Sequence, residues 1–351
     1  MVLCVGCMLH VEDSAIRWKV GLRPEQPITQ LLCLVSYLLK TTTCTTMSEL
    51  TSSTGLVKPK FVSPAERLRN LLDTGKCLVV PCCSDGLTAR LVEQAGFECT
   101  FMSGFSVSAT RGFPDCQLVS FEEMRQSATV ISSSCSIPVI GDGDTGYGNC
   151  VSIKRTVKAY CRAGLAAVMI EDQTAPKRCG HVFGKSVVSR DMALRRIQAA
   201  CDARNELRTA GIGDILILAR TDARCISMDE AITRCKRFRE IGADITFLEA
   251  PQSIAEMEEY CAQVDGPKMA NMLEGGKTPI LSNIELQNMG FSIAVRPITL
   301  LSAAIKAMQD VLGKLKNDRD TKPDLLPSFS ELKKVVGFDE YFEEDAKYAI
   351  S

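Results

Sequence analysis

Two aspartates, Asp142 and Asp144, follow a short apolar run that ends at Ile140, within the segment 138–149. Successive side chains of a strand alternate between its two faces, so both carboxylates would point to the same side where the strand ends. Carboxylates held this close repel each other unless a cation or a proton lies between them, and the segment contains no lysine or arginine. Because hard divalent cations prefer oxygen ligands, the pattern indicates a site for Mg²⁺ or Mn²⁺. Taken alone, the motif also fits a solvated Asp-Gly turn.

A second candidate for chemistry is Cys179, which lies in the basic segment 173–185. Cations surround it in the sequence: Lys177, Arg178 and His181. Neighbouring cations favour the thiolate, so the pattern predicts a lowered thiol pKa and a role for Cys179 as an acid or base, with His181 as a further candidate catalytic residue. The glycines Gly180 and Gly184 would act as hinges of a loop that closes over a site and excludes water. A surface loop with an incidental cysteine is the alternative interpretation.

Length and composition limit the classes of protein that the chain can belong to. It has 351 residues, of which 46% are hydrophobic, and a formal net charge of −1. This is enough apolar material for one large core, and the charge balance gives no electrostatic footprint for nucleic acid. No apolar run reaches the ~20 residues that a membrane helix needs. The 17 cysteines show no framework of paired spacings, so we interpret most of them as small buried hydrophobes in a reducing compartment.

Residues 1–60 differ from the rest of the chain. They contain a short apolar run at 31–39, followed by a segment rich in Thr and Ser. The run fits either a signal-peptide core or a buried helix, whereas the acidic residues Glu12, Asp13 and Glu25 are unusual for a transit peptide. Met47 is an alternative start. We therefore predict an N-terminal appendage, and the compartment stays open: cytoplasm by default, or a plastid or mitochondrion if residues 1–46 are a targeting segment.

From Ser63 onward, short apolar runs alternate with amphipathic segments. Ser63, Pro64 and Glu66 form a helix start, and glycines that would end helices recur just before the next run. Strands that are apolar throughout and separated by helices predict a parallel sheet covered on both faces. Eight such units over about 250 residues predict a (β/α)8 barrel, with an open doubly wound sheet as the alternative. The eight runs are 77–83, 99–103, 138–140, 166–170, 215–219, 245–248, 268–272 and 291–295.

The predicted barrel spans residues 61–315, and residues 316–351 form a linker and a helical tail. The linker is charged, and Ser328 would begin a last helix that is followed by the aromatic and acidic segment 338–345. A tail of this composition is expected to pack on a neighbouring subunit.

Polar side chains follow the predicted strands, and the carboxyl ends of barrel strands are where chemistry takes place. Each of them, taken singly, also fits a structural ion pair. Together they form an acidic ring with one arginine, which could hold Mg²⁺ and clamp a carboxylate with two hydrogen bonds. In strand order these residues are Ser103, Gly104, Phe105, Asp142, Asp144, Glu171, Asp172, Arg220, Asp222, Glu249, Asn271 and Glu274.

Four ordered motifs resemble the isocitrate lyase / phosphoenolpyruvate mutase superfamily: GDGDTGYGN, IEDQ-x₃-KRCGH, ARTDA and ANMLEGGKTP. The resemblance runs from about Ser63 to Leu315 and looks nearest to the branch of 2,3-dimethylmalate lyase, 2-methylisocitrate lyase and the petal death protein. It implies a barrel whose eighth helix is exchanged between subunits, usually in a homotetramer.

The resemblance also implies roles for individual residues. Mg²⁺ would be bound by Asp142 directly and by Asp115, Asp144 and Glu171 mainly through water. The turn Ser103-Gly104-Phe105 would hold the substrate's carboxylate and oxo group. Arg220 would bind the substrate, with Glu249 and Asn271 beside it, and Cys179 would be the acid/base group.

The implied activity is Mg²⁺-dependent cleavage of a carbon–carbon bond in a small malate-type dicarboxylate or tricarboxylate, such as an alkylmalate or methylisocitrate. Phosphonomutases carry Asn-Ser where this chain has Cys179-Gly180, and oxaloacetate-hydrolysing relatives carry a serine where it has Pro251. Hydrolysis of oxaloacetate or phosphonopyruvate, or phosphonomutase chemistry, is the alternative. A non-catalytic barrel is a second alternative.

Overall fold

The computed structural model describes residues 7–12, 15–20, 62–181, 184–317 and 326–349. The chain divides into two units, Met1–Phe61 and Val62–Ser351. In the first unit, strands β1 (Cys7–Glu12) and β2 (Ala15–Val20) form an antiparallel hairpin. The apolar run 31–39 and Met47 lie outside the described residues. In the described part of the chain, no helix has the length and apolar character to cross a membrane.

The second unit is built on a closed barrel of eight parallel strands. Each strand pairs with the next in sequence, and the last pairs with the first through Ile293 beside Leu78. The eight predicted strands and the (β/α)8 fold are therefore confirmed, and the closure excludes the open sheet. The strands are β3 (Leu78–Cys83), β4 (Thr100–Met102), β5 (Val139–Asp142), β6 (Ala167–Glu171), β7 (Leu216–Thr221), β8 (Ile245–Leu248), β9 (Lys268–Asn271) and β10 (Ile293–Arg296).

Helices connect the strands, and their ends follow local sequence rules. Ser63 accepts the backbone N–H of Glu66, as predicted, and Gly242 and Gly290 end two helices with positive φ angles of 108° and 107°. The helices are α1 (Pro64–Leu72), α2 (Gly86–Gln94), α3 (Gly104–Thr110), α4 (Phe121–Ser134), α5 (Cys150–Arg162), α6 (Arg190–Thr209), α7 (Met228–Ile241), α8 (Ile254–Gln263), α9 (Asn283–Met289), α10 (Thr299–Lys316), α11 (Phe329–Val336) and α12 (Phe338–Ala346).

Helix α1 closes one end of the barrel. Its buried side chains Ala65, Leu68 and Leu72 belong to the same apolar cluster as the inward-facing side chains of the strands, including the first residues of several strands. Because α1 leads into the amino-terminal end of β3, it seals the amino-terminal end of the barrel. The carboxyl ends of the strands, where active sites lie in this fold, are left to the loops.

The three C-terminal helices differ from the others, because none of their side chains is buried. Helix α10 follows the last barrel strand, yet its apolar residues Ile305, Met308 and Leu312 are 43%, 55% and 64% exposed. Ser328 caps helix α11, as predicted, but α11 is not the last helix. Gly337, with φ 91°, separates α11 from α12, and the aromatic and acidic segment is a helix of its own.

Candidate active site

A cavity lies at the carboxyl ends of the strands and combines charged and apolar walls. Most of the predicted site residues line it. Gly104, Asp144 and Glu171 are buried beside the cavity and are absent from its wall. The lining residues are Cys82, Phe101, Ser103, Phe105, Asp115, Asp142, Met169, Lys177, Cys179, Gly180, His181, Arg220, Phe247, Glu249, Met269, Asn271, Leu273, Val295, Pro297 and Ile298.

Asp142 is buried at the end of β5, and backbone donors hold both of its oxygens. The N–H of Gly104 donates to Oδ2 at 3.0 Å, and the N–H of Asp144 donates to Oδ1 at 3.0 Å. A β-carbon at position 104 would lie 2.6 Å from Asp142 Oδ2, so this approach requires glycine. Burial raises the pKa of Asp142 to about 6; Lys177 opposes the shift, and the neighbouring Asp144 and Asp115 add to it.

Lys177 reaches into this carboxylate group from the loop after β6. Its Nζ lies 2.6 Å from Asp115 Oδ1 and 2.8 Å from Asp144 Oδ1, and its side chain is 3% exposed. The backbone N–H of Lys177 donates to Gln117 Oε1 at 2.9 Å. The predicted acidic ring with a single arginine is therefore incomplete. Lys177, which is distant in sequence from Asp142, supplies a second cation.

Glu171 and its neighbours have the chemistry of a cation site. Neither carboxylate oxygen of Glu171 accepts a hydrogen bond, although Arg220 Nε lies 3.2 Å from Oε2. Burial raises the pKa of Glu171 well above its usual range, against the opposing charges of Arg220 and Lys177. Among the described residues, no three His, Cys, Asp or Glu side chains form a ready-made cage for a metal. These donors fit a hard cation that keeps water in its coordination shell, as Mg²⁺ does.

Arg220 stands on the other side of the cavity, at the end of β7. Its Nε and Nη2 donate to the two oxygens of Asp222 at 2.8 and 3.2 Å, and Nη2 lies 3.7 Å from Glu249 Oε2. Burial alone would lower the pKa of Arg220, but the surrounding carboxylates outweigh it and raise the pKa well above its usual value. The guanidinium also lies over the ring of Phe247, 5.4 Å from its centroid. It is a fixed cation with a face toward the cavity.

His181 joins the loop after β6 to this side of the cavity. Its Nδ1 accepts the backbone N–H of Lys277 at 3.0 Å, so the ring proton lies on Nε2, which is 2.6 Å from Glu249 Oε1. Asn271 Nδ2 lies 3.3 Å from both Glu249 oxygens. A β-carbon at Gly180 would lie 2.6 Å from Arg220 Nη2, so the loop packs directly on the arginine.

Cys179 lies between the two charged sides and is half-buried. The predicted lowering of its thiol pKa is wrong. Burial raises the pKa of Cys179, and the N–H of His181 that points at the sulfur offsets this only in part. Lys177 is turned toward Asp115 and His181 toward Glu249, so the cations adjacent in sequence do not act on the sulfur. A raised pKa favours the protonated thiol, which is the form that a proton donor needs.

The base of the loop is closed by backbone and side-chain contacts. Thr174 N–H donates to the carbonyl of Ser186 at 2.9 Å, and Nη1 of the buried Arg196 donates to the carbonyls of Glu171 and Gln173 at 3.1 and 2.8 Å. Residues 182 and 183, in the middle of the loop, lie outside the described residues. Sequence reasoning missed Gln117 and Arg196, and no local pattern could have linked them to this loop.

Two predicted strand-end residues do not face the cavity. Asp172 points away from it and accepts from Thr221 Oγ1 at 2.6 Å and from Arg234 Nη1 at 2.8 Å. Glu274 is exposed and accepts from Thr299 Oγ1 at 2.7 Å. Both are structural partners of neighbouring elements.

The turn after β4 begins a helix. Ser103 caps α3 by accepting the N–H of Ser106 at 3.3 Å, and the next amide, that of Gly104, is directed at Asp142. Phe105 lies at the rim of the cavity and is 36% exposed. The turn therefore links the carboxylates to the cavity wall.

Known proteins are similar to this chain in sequence and in fold. A family model described as phosphoenolpyruvate phosphomutase matches residues 68–316. The 2,3-dimethylmalate lyase of Eubacterium barkeri is 39% identical over 292 residues, which cover 82% of this chain and 99% of that protein. A crystal structure of 2,3-dimethylmalate lyase, described as a PEP mutase/isocitrate lyase superfamily member, has a TM-score of 0.77 and 37% identity, and the match covers 82% of this chain and 96% of the other.

A structure of oxaloacetate acetylhydrolase in complex with the inhibitor 3,3-difluorooxalacetate also has a TM-score of 0.77, with 35% identity over 82% of this chain and 97% of the other. The matched region contains the whole barrel and every residue of the cavity. The chain thus belongs to the PEP mutase/isocitrate lyase superfamily.

Proposed function

We propose that this protein is a Mg²⁺-dependent lyase that cleaves a carbon–carbon bond of a malate-type 2-hydroxy acid, such as an alkylmalate or methylisocitrate, to a 2-oxoacid and a carboxylate. The observation that carries the proposal is the position of the Cys179 thiol, which lines one cavity with Arg220 and Asp142. A proton donor, a carboxylate clamp and an anionic cation site are the groups that this reaction needs.

The buried carboxylates described above would hold the metal. Asp142, in the cavity wall, would contact it directly, and Asp115, Asp144 and Glu171 would act mainly through water; Mn²⁺ fits the same oxygen donors. When bound, the ion acts as a Lewis acid that polarises the substrate's 2-oxygen.

The chain's own residues orient the substrate and move the proton. Ser103 and the start of α3 face the end that carries the 2-oxygen, and Arg220 binds the remaining carboxylate with its two-pronged guanidinium. The proton of the 2-hydroxyl would pass to the buried carboxylate group around Asp115 and Asp142 in the cavity wall. As C2 becomes a carbonyl carbon, the C2–C3 bond breaks with its electrons left on C3. Cys179 then gives its proton to C3, while Gly180 and His181 keep the loop packed over the site.

A hydrolytic activity is the second candidate, supported by the similarity to oxaloacetate acetylhydrolase. In that case water would attack C2 of oxaloacetate, and breaking of the C2–C3 bond would give oxalate and a carbanion that takes a proton at C3 to become acetate. Pro251, which follows Ala250 at φ 60°, occupies the place where the resemblance expects a serine in such enzymes. We therefore rank the lyase activity first, ahead of the hydrolases, the phosphonomutases and a non-catalytic barrel.

A substrate screen tests the proposal. The protein with Mg²⁺ is incubated with a series of 2-alkyl- and 3-alkylmalates, and release of pyruvate or another 2-oxoacid is followed. Oxaloacetate is assayed in parallel for oxalate, and phosphonopyruvate for phosphate. We expect a 2-oxoacid from at least one alkylmalate and no turnover of the other two compounds. Oxalate or phosphate as the main product would overturn the lyase assignment.

We also propose that α10 packs on another subunit, in a homotetramer. The supporting observation is its uncovered apolar face, since exposed apolar patches of this kind mark interfaces. Met308→Glu should shift the sedimentation coefficient toward a smaller species, whereas Lys306→Glu on the same helix, whose Nζ pairs with Asp310, serves as the control. A wild-type chain that sediments as a monomer would refute the assembly.

A further inference from the structure

The cavity wall holds little positive charge, and each of its fixed cations already contacts carboxylates of the protein. Among its lining residues in the described part of the chain, the fixed cations are Lys177 and Arg220. Lys177 is held by Asp115 and Asp144, and Arg220 is held by three carboxylates. The Nδ1 atom of His181 accepts a hydrogen bond from the backbone N–H of Lys277, and its Nε2 faces Glu249. A substrate with two carboxylates would be balanced by a metal ion held at Asp142 and by Arg220, and the described residues place no further lysine or arginine in the wall.

The remaining wall is apolar and has two parts. The floor consists of barrel side chains that pack against one another, such as Phe101, Met169 and Met269, none more than 4% exposed. The rim consists of Leu273, Pro297 and Ile298, which line the cavity but are only half-buried. We call these three residues the apolar rim. Its half-buried side chains offer accessible apolar surface, which the packed floor does not.

Hydrogen bonds hold the apolar rim next to the chemistry. Leu273 follows Asn271, whose amide contacts Glu249, and Thr299 Oγ1 donates to Glu274 at 2.7 Å, which ties the loop after β9 to the start of α10. The carbonyl of Pro297 accepts from Ser106 Oγ at 3.4 Å. The rim thus lies between the start of α3, proposed above to face the 2-oxygen of the substrate, and the end of β9 beside Glu249.

We propose that the C3 substituent of the substrate lies against the apolar rim, and that the enzyme selects dicarboxylates with an uncharged alkyl group at C3 over tricarboxylates. This inference rests on the proposed lyase function and narrows its substrate class. A third carboxylate at the rim would lose water and gain no cation, and an unpaired charge in such a place is strongly disfavoured.

Three compounds separate the effect of charge from that of size. 2,3-Dimethylmalate has a methyl group at C3 and would give pyruvate and propionate. 2-Methylisocitrate has a carboxymethyl group there and would give pyruvate and succinate. 2-Methyl-3-isobutylmalate has an uncharged isobutyl group at C3, with the same branched shape as carboxymethyl. Its cleavage would give pyruvate and 4-methylpentanoate. All three release pyruvate, so one assay compares their kcat/KM values.

We expect the dimethyl and isobutyl compounds to be cleaved with similar kcat/KM, and 2-methylisocitrate to be at least about 100-fold poorer. A 2-methylisocitrate value equal to or above that of 2,3-dimethylmalate would overturn the inference. Loss of the isobutyl compound together with the tricarboxylate would overturn it as well, because size would then be the cause of rejection.

A cation placed on the rim should reverse the preference. Leu273→Arg is expected to raise the ratio of kcat/KM for 2-methylisocitrate over that for 2,3-dimethylmalate by at least about tenfold, since the new charge pairs with the third carboxylate. Ile298→Lys tests the same point from the other side of the rim if the first variant fails to fold. Ile212→Arg is the matched control, because Ile212 is 55% exposed and precedes β7 at the opposite end of the barrel. An unchanged ratio in folded rim variants would contradict the proposed location.

Binding measurements keep the inference separate from the reaction. The three compounds are titrated by calorimetry, with Mg²⁺ present, onto the Cys179→Ser variant, which should bind them normally and cleave them ~10²–10⁴-fold more slowly. Tighter binding of the isobutyl compound than of 2-methylisocitrate supports the inference even if the wild-type protein cleaves neither, in which case only the lyase proposal fails. The opposite order of affinities refutes the inference whatever the reaction is.

Discussion

The two charged sides of the cavity contain similar groups but are built in different ways. On the arginine side, Arg220, Asp222 and Glu249 all sit at or just beyond strand ends, and the arginine pairs with a carboxylate two residues away. On the carboxylate side, Asp115 and Asp144 are paired with Lys177, which lies on the loop after β6. The barrel itself therefore supplies a cation on the arginine side, where Lys185 of the loop adds a second, 2.9 Å from Asp222 Oδ1. The carboxylate side depends on Lys177 of the loop or on a bound ion.

The two sides thus differ in how much of their positive charge comes from the barrel. Without the loop, the arginine side would lose the pair of Lys185 with Asp222 but keep Arg220. Without Lys177, Asp115, Asp142 and Asp144 would lie together with no compensating lysine. Such a group attracts a cation strongly, because carboxylates gathered in a buried place repel each other. The variants below are designed to break this asymmetry or to measure it.

Removing the metal should have the largest effect, because the carboxylate side is the side that needs it. Activity of EDTA-treated protein is expected to fall to background and to return on addition of Mg²⁺. Asp142→Ala should abolish Mg²⁺ binding in a calorimetric titration, and Asp144→Ala should weaken it less, because Asp144 acts through water in this proposal. Full activity of the stripped protein would disprove the metal requirement.

Replacing the thiol should have the next largest effect and should leave both charged sides intact. Cys179→Ser is expected to lower the rate of carbon–carbon cleavage by ~10²–10⁴-fold, because a serine hydroxyl is too weak an acid to protonate C3 quickly. Binding of substrate and of Mg²⁺ should change little. Cys225→Ser, at an exposed cysteine outside the cavity, is the control. Near-normal pyruvate release from the Cys179 variant would show that another group protonates C3.

Lys177→Met should have a smaller effect, confined to the carboxylate side. Without the ammonium group, Mg²⁺ is expected to bind more tightly, by about tenfold, since a competing positive charge is gone. The loop should open more often, so that iodoacetamide alkylates Cys179 several-fold faster. Lys277→Met, at an exposed lysine whose backbone alone contacts His181, is the control. Weaker Mg²⁺ binding or unchanged alkylation would show that Lys177 does not hold the loop down.

The fold could be predicted because each strand is a short apolar run and because capping serines and glycines indicate where helices begin and end. The strand-end rule also placed Asp142, Arg220, Glu249 and Asn271 near one another, since the carboxyl ends of barrel strands converge. Their roles stay predictions. Glu171 and Asp172 could have been separated, because adjacent strand residues point to opposite faces.

What the sequence could not show is where the loop side chains go. Lys177 and Cys179 are two residues apart, yet one pairs with Asp115 and the other lies in a half-buried place that raises its pKa. Proximity in sequence suggested that the lysine acts on the thiol, and the folded loop separates them. A pKa depends on burial and on contacts through space, and neither can be derived from the residues adjacent in the sequence.

Helix α1 has a consequence for the stereochemistry of the product. Its side chains seal the amino-terminal end of the barrel, and the floor side chains Phe101 and Met269 are each at most 4% exposed. In the proposed lyase, a carbanion at C3 would therefore receive its proton from the side of the loop that carries Cys179, and so on one of its two faces. Cleavage of 2,3-dimethylmalate in D₂O should yield propionate with a single deuterium at C2 in one configuration.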